Sequence, residues 1–116
     1  MSEDTAWRPY QGGSTLGLQG SEGGTISWDE DYAEQARITL EQDESRSFYA
    51  ITCGVDGWMV HTRFFGSFAE AQAAFEEMRP ALVELLSKLP PSRPKPPREV
   101  LREGGALLSG FIARFP

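Results

Sequence analysis

Apolar and polar residues alternate along Ala36–Glu41, with Ala36, Ile38 and Leu40 on one side and Arg37, Thr39 and Glu41 on the other. A period of two sends successive side chains to opposite faces of a sheet, so the segment is predicted as a half-buried strand. The same alternation marks Thr15–Gln19 through Leu16 and Leu18, and Thr25–Trp28 through Ile26 and Trp28. Between them the glycines at 20, 23 and 24 suit a tight connection, and a first hairpin is expected there. Phe48–Val55 and Trp58–Phe65 flank Asp56-Gly57, the dipeptide that favours a two-residue hairpin loop. On that register Cys53 faces Val60 and Ile51 faces Thr62 on an apolar side. Thr52 then faces His61, and Ala50 faces Arg63, on a side that is polar in its middle.

The period changes at Ser67. Ser67 followed by Glu70 forms a capping box, in which each side chain satisfies a free backbone donor of a helix's first turn. From there Phe68, Ala71, Phe75, Met78, Leu82, Leu85, Leu86 and Leu89 recur at three or four residues, an apolar stripe suited to covering the sheet. Pro80 removes one internal hydrogen bond and crowds the preceding turn, so a kink is expected near Arg79. Residues 90–97 (PPSRPKPP) predict an extended spacer of about 25 Å at about 3.1 Å per residue. Beyond it Leu107, Leu108, Phe111, Ile112 and Phe115 return to helical spacing. The expected architecture is α+β: an antiparallel meander of about five strands, one long Pro-kinked helix on one face, and a short C-terminal helical tail. Its parts are a flexible arm at 1–13, a core domain at 14–89, the linker at 90–97 and an amphipathic tail at 98–116.

A length of 116 residues with 40% apolar residues suits one domain able to build its own core. No apolar run approaches the roughly 20 residues that cross a bilayer, and the start lacks the basic and apolar regions of a signal peptide. The single cysteine, Cys53, cannot form an internal disulfide, so a reduced, cytoplasmic setting is expected. The net charge of −6 is unevenly placed. Residues 1–44 hold ten acids and two bases, whereas residues 45–116 hold seven acids and nine bases. That acidic front half disfavours nucleic acid and steers basic proteins toward it.

Candidate chemistry is sparse. On the two-residue register Arg37, Glu41, Thr52, His61 and Arg63 converge on the polar sheet face, where a histidine base and two arginines suit a small anionic ligand or substrate. Cys53 projects away from His61 on that register and makes no Cys-His pair. Asp29, Glu30, Asp31 and Glu34 crowd one short stretch, but Glu34 stands where a calcium loop needs glycine, so they suit a cationic partner surface better than a metal. Neither a phosphate-binding loop nor a dinucleotide fingerprint accompanies the glycines, and no cofactor, metal or catalytic residue is assigned. The apolar tail, through Leu107, Leu108, Phe111, Ile112 and Phe115, is expected to dock on its own core, on a second copy as a homodimer, or on a partner. Two functions follow as expectations. The first is a small acidic, non-catalytic interaction domain, such as an immunity- or antitoxin-like inhibitor or regulatory subunit that binds a basic protein. The second is a small enzyme or anionic-ligand-binding domain that uses the face around His61, Arg37 and Arg63.

Overall fold

A computed structural model describes residues 7–91 and 95–116. Five strands, β1 (Trp7–Pro9), β2 (Thr25–Tyr32), β3 (Ala36–Gln42), β4 (Tyr49–Val55) and β5 (Met59–Phe65), form one antiparallel sheet in chain order. Two helices follow, α1 (Phe68–Lys88) and α2 (Arg98–Arg114). The α+β class and the meander agree with the hydrophobic pattern. Ser67 caps α1 as the capping box requires, its Oγ accepting from the Glu70 amide at 3.2 Å. Phe75, Met78 and Leu82 of α1 are buried on the sheet, each contributing about 1.5–3 kcal/mol by leaving water. The helix runs unbroken through Pro80.

Three local expectations give way. Thr15–Gln19 is not a strand; only an isolated bridge joins Gln19 to Thr25. The first strand is instead Trp7–Pro9, inside the expected arm, because Trp7 packs against Tyr32 with ring centroids 5.4 Å apart and is buried. Residues 1–6 of that arm and residues 92–94 of the proline-rich spacer lie outside the described part. The tail is a longer helix than its apolar stripe implied and begins at Arg98, running through Gly104 and Gly105. At Gly104 a side chain would overlap the Trp58 indole, so the glycine permits this close helix-to-loop contact.

The largest correction concerns the β4–β5 hairpin. Val55 pairs with Met59, leaving Asp56, Gly57 and Trp58 as a three-residue loop rather than two. Gly57 takes the left-handed conformation (φ 79°) that such a loop demands, and the Trp58 amide donates to Val55 O. A shift of one residue turns every β5 side chain to the other face. Cys53 therefore faces His61, and Ile51 faces Arg63.

His61 and Arg63 thus point to the helix-covered face, where α2 receives them. His61 Nε2 lies 2.6 Å from Phe115 O, and Arg63 Nε donates to Pro116 O at 3.1 Å. A carbonyl only accepts, so Nε2 carries the proton. Carbonyls at a helix C-terminus lack internal partners and attract cations, which accommodates these two half-buried polar side chains at the edge of the apolar layer. Leu108, Phe111 and Phe115 are buried in the same core as Phe75 and Met78, while Leu107 is half-buried and Ile112 exposed. The tail's stripe is therefore covered by its own chain, apart from the exposed Ile112.

Candidate functional site

The face of the sheet away from the helices is organised in rows fixed by strand register. One row runs Arg8, Asp31, Arg37, Gly54, Val60; the next runs Asp29, Thr39, Thr52, Thr62; the third runs Ile26, Glu41, Ala50, Phe64. Residues 14–24 fold over part of this face and are tied to it by buried carboxylates. Asp29 accepts four hydrogen bonds: Arg37 Nε at 2.9 Å, Arg37 Nη2 at 2.6 Å, Thr39 Oγ1 at 3.0 Å and Thr15 Oγ1 at 2.7 Å. Burial pushes the Asp29 carboxyl up, but its hydrogen bonds and the Arg37 charge outweigh that and hold it below its ordinary value of 3.8. Glu41, 1% exposed, accepts from the amides of Glu22 at 3.1 Å and Gly24 at 2.7 Å. At Gly20 a Cβ would come within 2.6 Å of that carboxylate, so the roof sits this close only because the residue has no side chain.

These contacts redistribute the residues singled out from sequence. Arg37, Glu41 and Thr52 do share one face, but Glu41 and Arg37 are committed to holding structure, and His61 and Arg63 lie behind the sheet. The five do not converge. Of the four acids, Asp29 is buried with Arg37, Asp31 pairs with Arg8 at 3.9 Å and accepts from the Glu34 amide, and Glu30 points to the opposite face, where Arg79 donates to it at 3.1 Å. Only Glu34 is exposed. They form no common surface because they belong to β2 and its turn, where alternation separates neighbours.

Cys53 is fully buried, and burial pushes its thiol up to about 11, with the nearby Arg63 charge opposing only part of the rise. At pH 8 about one molecule in a thousand then carries a thiolate. The folded chain is expected to resist a thiol reagent at that pH and to react fully once denatured; rapid labelling of the native protein would contradict this burial. Among the described residues no group of three or more His, Cys, Asp or Glu is arranged to hold a metal, and no helix is long and apolar enough to cross a membrane.

Two large apolar side chains remain accessible on the open face, beside the partly exposed Arg8 and Arg37. Val60 is 79% exposed and Phe64 59% exposed, with Phe48 edge-on to Phe64 at 5.8 Å. Beside them an open cleft of about 1220 Å³ lies over the row from Arg8 to Val60, with the Tyr10 ring stacked 3.7 Å from the Arg37 guanidinium carbon. No protein family, curated protein or solved structure matches the chain at a significant level. The site therefore rests on its own geometry. Sequence reasoning missed Tyr10, Gly54, Val60 and Phe64. The last two carried a signal in their alternation with Thr62, but the loop length decided which way they point. Tyr10 lies in a stretch with no periodicity and carried none.

Proposed function

We propose that this chain is a non-catalytic interaction domain that binds a basic protein across its open sheet face, as an immunity- or antitoxin-like inhibitor or a regulatory subunit does. The carrying observation is the exposure of Val60 and Phe64, two large apolar side chains on an edge strand facing away from both helices. Edge strands of this kind are protected in stable proteins by charge, by bulges or by a cover, so exposed apolar side chains there favour a partner. Charge supports the partner's sign. Two hairpin turns of the sheet carry exposed acids, Glu34 and Glu44, in a chain of net charge −6. Apolar anchors on an acidic chain suit a basic surface that is steered in by charge and held by burial.

Capture from the source cells, comparing the native chain with the Val60→Ser, Phe64→Ser double variant at low and high salt, tests this. A basic partner is expected that weakens with salt and loses at least about tenfold in affinity in the double variant. Retention of no basic protein, or a partner indifferent to both salt and the double change, would overturn the reading.

A further inference from the structure

We infer that the cleft over Gly54 seats an aromatic side chain of the partner, standing on the sheet between Arg37 and Val60. The inference rests on the interaction reading above for the source of that side chain and names the anchor it uses. A glycine inside a strand costs stability, because it gives up chain entropy on folding and offers nothing to pack. The fold does not ask for this one. Its φ lies outside the left-handed region, and pairing runs in step on both sides, with Arg37 on β3 and Val60 on β5, so it marks no bulge. A Cβ there would meet Met59 O at 3.6 Å and Val60 Cγ2 at 3.9 Å, ordinary contacts. Gly20, Gly24 and Gly104 differ, since at each a Cβ would come within 2.8 Å of a neighbouring atom. The remaining use of a strand glycine is room for another group to come down onto the backbone.

The space is present and has a shape. A cleft of about 1220 Å³ lies over Gly54, with Tyr10 and Trp58 among its walls, enough for one side chain and its flanking backbone. Neighbouring strands lie about 4.8 Å apart, so Arg37 and Val60 stand roughly 9.6 Å from one another. With carbon contacts at about 3.5–4.0 Å, that gap admits one layer of atoms touching both sides, which a ring on edge supplies and a branched aliphatic group does not. Such a ring covers the glycine as an aromatic residue on a neighbouring strand does within a sheet. Charge favours it as well. The Arg37 side chain is 41% exposed, and its guanidinium already carries the Tyr10 ring at 3.7 Å, so this cation accepts the electron-rich face of an aromatic group. The rim is strained. Gln11 (φ 47°) and Glu34 (φ 60°) line the cleft and Ala33 (φ 52°) precedes Glu34, so three of the four described non-glycine residues with left-handed backbone gather here. Strain of this kind collects at ligand clamps.

The test uses the full chain labelled for amide NMR and titrated with acetyl-Ala-Phe-Ala-amide. The same peptide with cyclohexylalanine, similar in size but puckered and without a π face, and free benzyl alcohol serve as comparison arms. Saturable shifts are expected at the amides of Gly54, Gly57 and Val60, with the cyclohexylalanine peptide at least about fivefold weaker and benzyl alcohol weaker than the Phe peptide. Gly54→Val should abolish the shifts at Gly57 and Val60 while raising Tm by roughly 4 °C, because β4 gains a β-branched residue that the fold can hold. In the capture experiment the same change should cost the basic partner at least about tenfold in affinity.

Absence of saturable shifts, equal binding of the cyclohexylalanine peptide, or a lower Tm in Gly54→Val would overturn the inference, the last by making the glycine a requirement of the fold. Benzyl alcohol binding as tightly as the Phe peptide would give the cleft to a free aromatic molecule and overturn the partner as its source. Failure here is separable from failure of the interaction reading. A captured basic partner that binds Gly54→Val as well as the native chain removes the aromatic anchor alone. Localised, ring-dependent peptide binding in a chain that captures no basic protein upholds the cleft's chemistry and removes the partner.

Discussion

A chain ending at Leu89 is expected to lose its cooperative unfolding transition. Without α2 the core forfeits Leu108, Phe111 and Phe115, all buried against the rest of the molecule. At about 1.5–3 kcal/mol for each side chain removed from water, the loss is about 5–9 kcal/mol, comparable with the roughly 5–15 kcal/mol that holds a small domain folded. The truncation also strips the carbonyls that receive His61 and Arg63, leaving two polar groups over an apolar layer without those partners. Urea denaturation followed by fluorescence measures this. Phe111→Ala, a milder probe, should cost about 3–5 kcal/mol. Because the tail docks on its own chain, the midpoints should not move with protein concentration. A truncated chain as stable as the whole, or a concentration-dependent midpoint, would contradict docking in cis.

Replacing Asp29 by Ala should be the most damaging single change on the open face. Its side chain is fully out of water, and removing it leaves Arg37, Thr39 and Thr15 without their common acceptor. Breaking a buried ion pair typically costs about 3–5 kcal/mol, but Arg37 keeps 41% of its side chain exposed and is rehydrated, so about 3 kcal/mol is expected. For a domain of this size that lowers Tm by roughly 10 °C. Acid should have a related effect. Asp29 titrates below its unfolded value of 3.8, so its contribution is fully present above that pH and is lost as pH falls through the lower, folded value. Stability measured against pH should therefore fall less steeply below about pH 4 in Asp29→Asn than in the native chain. Equal acid slopes in the two proteins would show that Asp29 is not held as a paired carboxylate.

Much of the fold was legible where a single element carries its own signal. The alternation of Ala36–Glu41 gave β3, and Ser67 with Glu70 gave the start of α1, because period and capping depend on neighbours within a few residues. Strand β1 was not legible. Its three described residues contain a proline and show no period, and its place depends on Trp7 meeting Tyr32, a contact across the sheet. The Leu16 and Leu18 pattern misled for a related reason. Those side chains are exposed on a roof that is held by backbone amides reaching Glu41, a use of carboxylate that alternation does not encode.

The chain's own pattern determined that Met59, His61, Arg63 and Phe65 share one side of β5, and Val60, Thr62 and Phe64 the other, since the pleat permits nothing else. Which side meets the core was decided only in three dimensions. One more residue in the loop after Val55, with Gly57 left-handed and Trp58 packed on Gly104, shifts the pairing and turns the strand over. The end of α2 then supplies the acceptors that let His61 and Arg63 face inward, so Val60 and Phe64 are left on the open face. Alternation is a local property of the backbone, but the free energy that selects a face is summed over contacts between elements far apart in sequence.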